Sequence, residues 1–113
     1  MEKIMLYQKI IIDVLNEHAK VIPANLPGIE IQVISDPAHH HYQLVHLGWS
    51  GSQFIHSVLF HLDIKSDGKI WLQANYTDIL IADELVEKGV PKSDIVLGIQ
   101  PPYARPYTGF AAA

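Results

Sequence analysis

The amino-acid sequence predicts an α+β fold, namely a four-stranded antiparallel meander sheet with an N-terminal helix and a C-terminal helix packed on one face. The first observation is the stretch 41–75, where β-branched, aromatic and aliphatic residues form three runs separated by two short Gly-containing turns. The second is that both flanks of this stretch place apolar residues at the spacing of amphipathic helices. With 113 residues, 49% of them hydrophobic, the chain is expected to form one domain, 1–113, around a single core.

The N-terminal helix is predicted over residues 2–20. Its apolar positions recur every three or four residues and are Ile4, Tyr7, Ile11, Val14, Leu15 and His18. The helix must end by Pro23, and residues 23–28 form a connector because two prolines and a glycine sustain neither a helix nor a central strand.

The first strand is predicted over residues 29–34, where apolar and polar residues alternate. Ile29, Ile31 and Val33 are expected to point inward. Residues 36–38 then turn the chain, and three consecutive histidines, 39–41, lead into the second strand.

The two hairpin turns set the register of the sheet, because a slip of one residue moves every side chain to the other face. We expect a two-residue Ser50-Gly51 loop, followed by a three-residue Ser66-Asp67-Gly68 loop with Gly68 left-handed. The second loop pairs Ile64 with Ile70, whereas a two-residue Asp67-Gly68 loop would set Ile64 against Trp71. The preferred register predicts an apolar face of Val45, Leu47, Phe54, Val58, Phe60, Leu62, Ile64, Ile70, Leu72 and Ala74. The opposite face carries Tyr42, Leu44, His46, Ile55, Ser57, Leu59, His61, Asp63, Trp71 and Gln73.

The C-terminal helix is predicted over residues 78–88, capped by Thr77 and stopped by Gly89. Its buried stripe is Ile79, Ala82, Leu85 and Val86. The short apolar segment 95–97 fits either a helical turn or an edge strand. The tail, residues 100–113, contains three prolines and is expected to be extended and semi-rigid.

Composition narrows the possible functions. The formal charge of −4 and the lack of a basic run disfavour direct binding to nucleic acid by this chain alone. The chain has no cysteine for a disulfide or a thiolate metal site. The N-terminus does not resemble a signal peptide and no apolar run approaches the roughly 20 residues of a membrane span, so no membrane association and a cytoplasmic location are expected.

The seven histidines raise the question of a metal site. On a strand at most His39 and His41, or His40 and a cross-strand His61, can converge. In the preferred register His40 lies opposite His61, with Asp63 or Gln73 nearby. Two histidines and one uncertain third ligand fall short of the usual three or four, so the sequence predicts no metal and no cofactor.

No catalytic residue is predicted, because the sequence lacks a cysteine nucleophile, a Gly-x-Ser-x-Gly elbow and a phosphate-binding glycine loop. His61 and Asp63 share a strand face and could form a general acid–base pair, but such a pair is more typical of a solvated surface. The chain is therefore predicted not to be an enzyme.

Aromatic residues instead suggest a surface for partners, since Trp, Tyr and Arg are enriched at interfaces. The candidate partner-binding residues are Tyr42, Trp49, Trp71, Tyr103, Arg105, Tyr107 and Phe110. For Trp49 the alternative is plain core packing, and for the tail the alternative is that it folds back over Trp71 and Leu59. Because the tail is too short to cover the second sheet face, we expect a homodimer through this face or the tail.

Five segments, in order along nearly the whole chain, resemble the XisI family, the fdxN element excision controlling factor proteins of cyanobacteria. They are HYQL at 41–44, LGW at 47–49, KIWLQ at 69–73, ELVEKGVPKSDIVLG at 84–98 and PPYARPYTGFA at 101–111. The resemblance implies a role in programmed DNA excision, a DNA rearrangement in differentiating cells such as heterocysts. It also implies action beside a site-specific recombinase and an XisH-type protein, and it carries over no catalytic residues.

Three functions therefore follow from the sequence. The first is a regulatory protein that binds protein partners, which the acidic charge favours. The alternatives are a direct DNA-binding accessory factor and a small metal-dependent enzyme.

Overall fold

The structure, a computed structural model, describes residues 2–21 and 28–113. Within these ranges the chain forms two α-helices, a five-stranded sheet and two single-turn 3₁₀ helices. The elements are α1 (Glu2–Ala19), β1 (Ile29–Asp36), β2 (His41–Ser50), β3 (Gln53–Ile64), β4 (Ile70–Asn75), α2 (Ile81–Glu87), a 3₁₀ turn (Lys92–Asp94), β5 (Ile95–Leu97) and a second 3₁₀ turn (Arg105–Tyr107). Apart from Gly28, the predicted connector over residues 23–28 lies outside the described residues.

The sheet has the strand order β1-β2-β3-β4-β5. Strands β1 to β4 pair antiparallel with their sequential neighbours, which confirms the predicted meander. The prediction of only four strands is wrong, because β5 adds a fifth strand parallel to β4. Along the chain α2 connects β4 to β5. It brings the chain back to the end at which β4 begins, so that β5 runs parallel to β4. Residues 95–97 are thus an edge strand rather than a helical turn.

The predicted register of the β3–β4 hairpin is confirmed. Ile64 pairs with Ile70 and Leu62 pairs with Leu72. The Gly68 N–H donates to the Lys65 carbonyl at 2.9 Å, and Gly68 has a φ of 87°, a conformation that glycine adopts at little cost. The three-residue loop therefore fixes this hairpin.

The predicted loop between β2 and β3 is wrong by one residue. Ser50 pairs with Gln53, so the loop is Gly51-Ser52, with Gly51 at a φ of 61°. Farther along the hairpin Val45 pairs with Val58 but Leu44 pairs with Phe60. Leu59 is the extra residue between these pairs and forms a β-bulge.

The bulge exchanges the two faces of the hairpin, which corrects the predicted faces. On the loop side of Leu59, side chains predicted to lie in the core point to the face opposite the helices; they are Val45, Leu47, Phe54 and Val58. On the other side, Tyr42 and Leu44 join Phe60 and Leu62 in the core beneath α1. A second bulge, at Gln73, places Ala74 opposite His61 and so also off the predicted apolar face.

Both helices pack on one face of the sheet, as predicted. Helix α1 buries Tyr7, Ile10, Ile11, Val14 and Leu15, and α2 buries Ile81, Ala82 and Leu85. No helix among the described residues has both the length and the apolar character needed to cross a membrane.

Helix α2 is shorter than predicted and begins at Ile81 instead of residue 78. The polar residues before it stabilise a loop. The Asn75 side-chain amide donates to the Ile79 carbonyl at 2.8 Å, and the Thr77 hydroxyl accepts the Ile79 N–H at 3.0 Å. Thr77 therefore stabilises the approach to the helix, and it does not cap the helix itself.

Candidate interaction surface on the open face of the sheet

We call the face of the sheet opposite α1 and α2 the open face, because no helix of the described residues packs on it. Three zones follow one another across this face: an apolar zone near the β2–β3 loop, a polar zone in the middle, and a zone along β4 and β5 that meets the tail. The side chains of the apolar zone are Val45, Leu47, Trp49, Phe54, His56 and Val58. Those of the polar zone are His41, Gln43, His61, Asp63 and Gln73, and those of the third zone are Trp71 and Val96.

The tail folds back onto the β4–β5 end of the open face. The guanidinium carbon of Arg105 lies 5.0 Å from the centroid of the Trp71 ring, a cation–π contact. Arg105 also donates from Nε to the Gln100 carbonyl at 3.0 Å, and the Ala111 N–H donates to the Ile95 carbonyl at 2.8 Å. The prediction of an extended tail is therefore wrong, because these bonds bend it through the 3₁₀ turn Arg105–Tyr107.

The tail covers Trp71 but not Leu59. Leu59 is half-buried against the helix-side core, with Phe60 and His18 lining the same shallow depression. The alternative in which the tail folds back over Trp71 and Leu59 is thus correct for Trp71 and wrong for Leu59.

Four side chains of the apolar zone form what we call the hairpin patch. They are Leu47, Trp49, Phe54 and Val58. Trp49 pairs with Phe54 next to the loop, and their rings meet edge to face with centroids 5.3 Å apart. The two side chains remain 60% and 51% exposed. Two large aromatic rings in contact with each other and still half open to water make this patch the candidate interaction site of the open face.

The polar zone contains what we call the His–Asp cluster, made of His41, His61 and Asp63. Both His41 Nδ1 and His61 Nε2 lie 2.8 Å from the same oxygen, Asp63 Oδ1. The Gln73 amide nitrogen donates to the other carboxylate oxygen at 3.3 Å, and the Gln43 amide nitrogen lies 3.1 Å from His61 Nδ1. Each side chain of the cluster is therefore oriented by a partner.

Asp63 is the one buried charged residue among the described residues, only 7% exposed. Burial raises the pKa of its carboxyl group, but the hydrogen bonds from His41 and His61 outweigh burial and hold the pKa below its usual value. Asp63 is therefore an ionised carboxylate at neutral pH. Because three donors occupy it, it is better suited to holding the two imidazoles than to acting as a free general base.

The histidine pairing predicted from sequence is wrong. His41 lies opposite Asp63, and Gln43 lies opposite His61, so His41 takes the place expected of His40. His40 has a φ of 60° in the turn before β2, and its Nδ1 lies 2.9 Å from the Tyr42 hydroxyl on the core side. The error comes from the β2–β3 register, because the misplaced loop shifts the pairing by two residues and the bulge at Leu59 shifts it by one more.

The predicted partner-binding residues are in different environments. Tyr42 is fully buried in the helix-side core, so placing it on the second face was wrong. Phe110 is half-buried against the core beneath the Lys92 ammonium, whose nitrogen lies 5.7 Å from the ring centroid. Trp71 and Arg105 contact each other. Trp49, Tyr103 and Tyr107 are exposed, the last two by 80% and 88%.

Sequence reasoning missed the exposure of Phe54 and the pairing of His41 with Asp63. Phe54 was assigned to the core because it continues the even-numbered apolar series of β3. The signal that could have found it is its position opposite Trp49, one pair beyond the Ser50–Gln53 pair that closes the loop. Side chains of directly opposite residues share a face.

Comparison with known proteins gives a consistent answer. The family model described as XisI protein matches residues 1–112. The crystal structure of a XisI-like protein from Anabaena variabilis is 44% identical, with a TM-score of 0.88 over 97% of this chain and 99% of that one. The structure of the fdxN element excision controlling factor XisI from Anabaena variabilis is 28% identical, with a TM-score of 0.82 over 98% of this chain and 99% of that one. No curated protein matches the chain.

Proposed function

The chain belongs to the XisI family, and from that premise we propose that it is a non-catalytic controlling factor for programmed excision of a DNA element, acting through protein partners. The similar structure named as an excision controlling factor supports the excision role. The proposed partners are an XisH-type protein or a site-specific recombinase, and the proposed location is the cytoplasm.

The observation that carries the proposal is the hairpin patch. Trp49 and Phe54 are held by a two-residue loop and by each other, so little conformational entropy is lost when a partner covers them. Exposed aromatic anchors on a rigid element are typical of the centre of a protein–protein interface. We therefore assign the hairpin patch as the main contact, with exposed Tyr103 and Tyr107 on the tail as a second one.

Charge favours a protein partner over DNA. The chain carries eight Lys and Arg against twelve Asp and Glu. Two of the basic side chains, Lys65 and Arg105, already lie on the Trp71 ring. Binding to a phosphate backbone needs several free cations along one groove, whereas an apolar patch needs none.

The test is binding of the purified chain to an XisH-type protein and to the recombinase of the same host, each measured by interferometry at physiological salt. Replacing Trp49 and Phe54 by Glu should weaken binding at least tenfold, because two desolvated anchors become charged. The matched control is Leu6→Glu, which places the same charge on a 54% exposed apolar residue of α1. Wild-type binding equal to that of the double variant would overturn the proposal. So would a shift of excision-site DNA at micromolar protein with no binding to either protein.

Self-association is proposed through the same patch, so the homodimer and the protein partner would compete for it. A homodimer would bury the aromatic pair against its symmetry mate, at about 25 cal/mol for each Å² of apolar area covered. Sedimentation of the wild type should give a dimer, and the double Glu variant a monomer. A wild-type monomer at high micromolar concentration would remove the homodimer and leave the partner-binding proposal intact.

A further inference from the structure

Beyond the proposed function, we propose that the His–Asp cluster binds one divalent first-row transition-metal ion, such as Zn²⁺. The ligands are His41 Nδ1, His61 Nε2 and a carboxylate oxygen of Asp63. The hairpin patch takes no part in this site.

The geometry suits a common ion. The three ligand atoms lie within 4.8 Å of one another, and each nitrogen is 2.8 Å from Asp63 Oδ1. In the tetrahedral geometry that Zn²⁺ prefers, ligands about 2.0–2.1 Å from the ion lie about 3.3–3.4 Å apart, so each imidazole nitrogen would move about 0.5 Å away from Asp63 Oδ1 to admit the ion. Since β2 and β3 supply all three residues, the arrangement is held by the strand pairing His41 with Asp63 and not by a loop.

Ion binding also requires a change of tautomer at each imidazole and a rotation of the Gln43 amide. In the hydrogen-bonded cluster both histidines donate N–H to Asp63; as ligands they would offer a lone pair from the same nitrogens and carry the proton on the other one. The other nitrogen of His41 belongs to a side chain that is 54% exposed, so water can solvate that N–H. The other nitrogen of His61 faces the Gln43 amide, which by rotating 180° can accept the N–H through its oxygen.

Surrounding residues add the support that metal ligands need. Gln43 orients His61, and the Gln73 amide holds the second oxygen of the Asp63 carboxylate. Hydrogen bonds of this kind fix the ring orientation and raise ligand basicity.

The donor set indicates the class of ion. Two imidazole nitrogens and one carboxylate favour Zn²⁺, Ni²⁺ or Cu²⁺ over Mg²⁺ and Ca²⁺, which prefer oxygen ligands alone. Three protein ligands leave at least one position for water, which the open face supplies. Lys65 and Arg105 on the ring of Trp71, the strand partner of Asp63, repel a cation and so reduce its affinity.

The experiment is a calorimetric titration of the full chain, prepared without a polyhistidine tag, with ZnCl₂ and then with NiCl₂. The wild type should bind one equivalent of Zn²⁺, and tenfold excess Mg²⁺ should not compete. His41→Gln and Asp63→Asn should each weaken Zn²⁺ binding at least tenfold. His41→Gln is the safer variant for folding because its side chain is half exposed, whereas Asp63 is buried.

The matched controls are His56→Gln and His39→Gln. His56 is exposed on the same face outside the cluster, and His39 is exposed with its Nδ1 2.9 Å from Asp36. Both variants should bind Zn²⁺ like the wild type. Absence of Zn²⁺ binding, binding unchanged in His41→Gln, or binding lost equally in His39→Gln would overturn the site.

A second readout does not depend on affinity. In the long-range ¹H–¹⁵N spectrum of the imidazoles, one equivalent of Zn²⁺ should shift His41 and His61 together and leave His56 unmoved. Since the Trp49 and Phe54 double Glu variant should keep the Zn²⁺ site, failure of the metal proposal and failure of the partner proposal are distinguishable.

Discussion

The β2–β3 hairpin consists of two halves that differ in what they pack against. On the side of Leu59 away from the loop, Tyr42 and Phe60 lie fully buried under α1. On the loop side, Trp49 and Phe54 lie on the open face and are more than half exposed. The two halves are equally apolar, and a single extra residue reverses which face their side chains occupy. Hydrophobicity alone therefore does not determine whether these residues are core or surface.

The largest expected difference between the halves is in the free energy of unfolding that is lost when a phenylalanine of β3 is replaced by alanine. Phe60→Ala should lower the free energy of unfolding by about 3–5 kcal/mol, because it leaves a cavity in the core. Phe54→Ala should lower it by about 1 kcal/mol or less, since it loses mainly its contact with Trp49. Urea unfolding followed by circular dichroism gives both values. Similar losses for the two variants would mean that the loop half is also core.

A smaller effect is expected where α1 is held over the buried half. The Tyr7 hydroxyl donates to the Asp94 carboxylate, and the Lys3 ammonium lies 3.2 Å from the same oxygen. Asp94→Asn should cost about 2 kcal/mol, in the range of hydrogen bonds to charged groups. Asp13→Asn is the control, because Asp13 makes only an exposed i,i+4 pair with Lys9.

The stability difference between wild type and Asp94→Asn should depend on pH in a defined way. The Tyr7 hydrogen bond holds the pKa of Asp94 below its usual 3.8, so this stabilisation is present above pH 4 and is lost as the pH falls through the lowered pKa. Burial, followed by the Asp94 hydrogen bond, raises the pKa of Tyr7 from 10.0 to about 12. Burial acts on Tyr7 in both proteins, so only the part of the difference that depends on Asp94 is lost as the pH rises from 10 towards 12. Unfolding curves measured across this range should give a stability difference that is constant between about pH 4 and pH 10. A difference that does not change with pH would contradict the assignment.

The smallest effect is expected at the hairpin loop. Gly51→Asn should change the free energy of unfolding by no more than about 0.5 kcal/mol, because asparagine tolerates a φ of 61° and nothing lies within 4 Å of an added Cβ. Gly68→Asn in the β3–β4 loop should cost more, since its Cβ would lie 2.7 Å from the Lys3 Cε and would displace the Lys3 ammonium from its pair with Asp94. Thermal unfolding of the two variants gives the comparison. A larger loss at Gly51 than at Gly68 would contradict it.

The predictions from sequence succeeded where local chemistry decides the structure. The Ser66-Asp67-Gly68 loop determines its own geometry through Gly68, so the β3–β4 register followed from three residues. The alternation in β1 likewise predicted that Ile29, Ile31 and Val33 point inward. Family membership was also predictable, because the order of five segments carries it.

They failed at one local feature, the β2–β3 loop, and otherwise where a non-local choice decides. Val58, Leu59 and Phe60 are all apolar, so the sequence contains no sign of which one is the extra residue. The composition of the His–Asp cluster depends on that choice, and so does the role of Phe54. The fifth strand has three residues and pairs with β4 and with Ala111 of the tail, contacts that no local preference reports.

The bulge at Leu59 has a consequence for how such a protein can diverge. Substitutions of the exposed residues on the loop side, such as Trp49 and Phe54, should alter the exposed patch at little cost in folding, whereas substitutions beyond the bulge are constrained by the packing of α1. Relatives that retain the buried half could therefore acquire different partners by drift in about a dozen residues near the loop. A single β-bulge thus separates the part of the hairpin whose residues are constrained by packing against α1 from the part whose exposed residues are not.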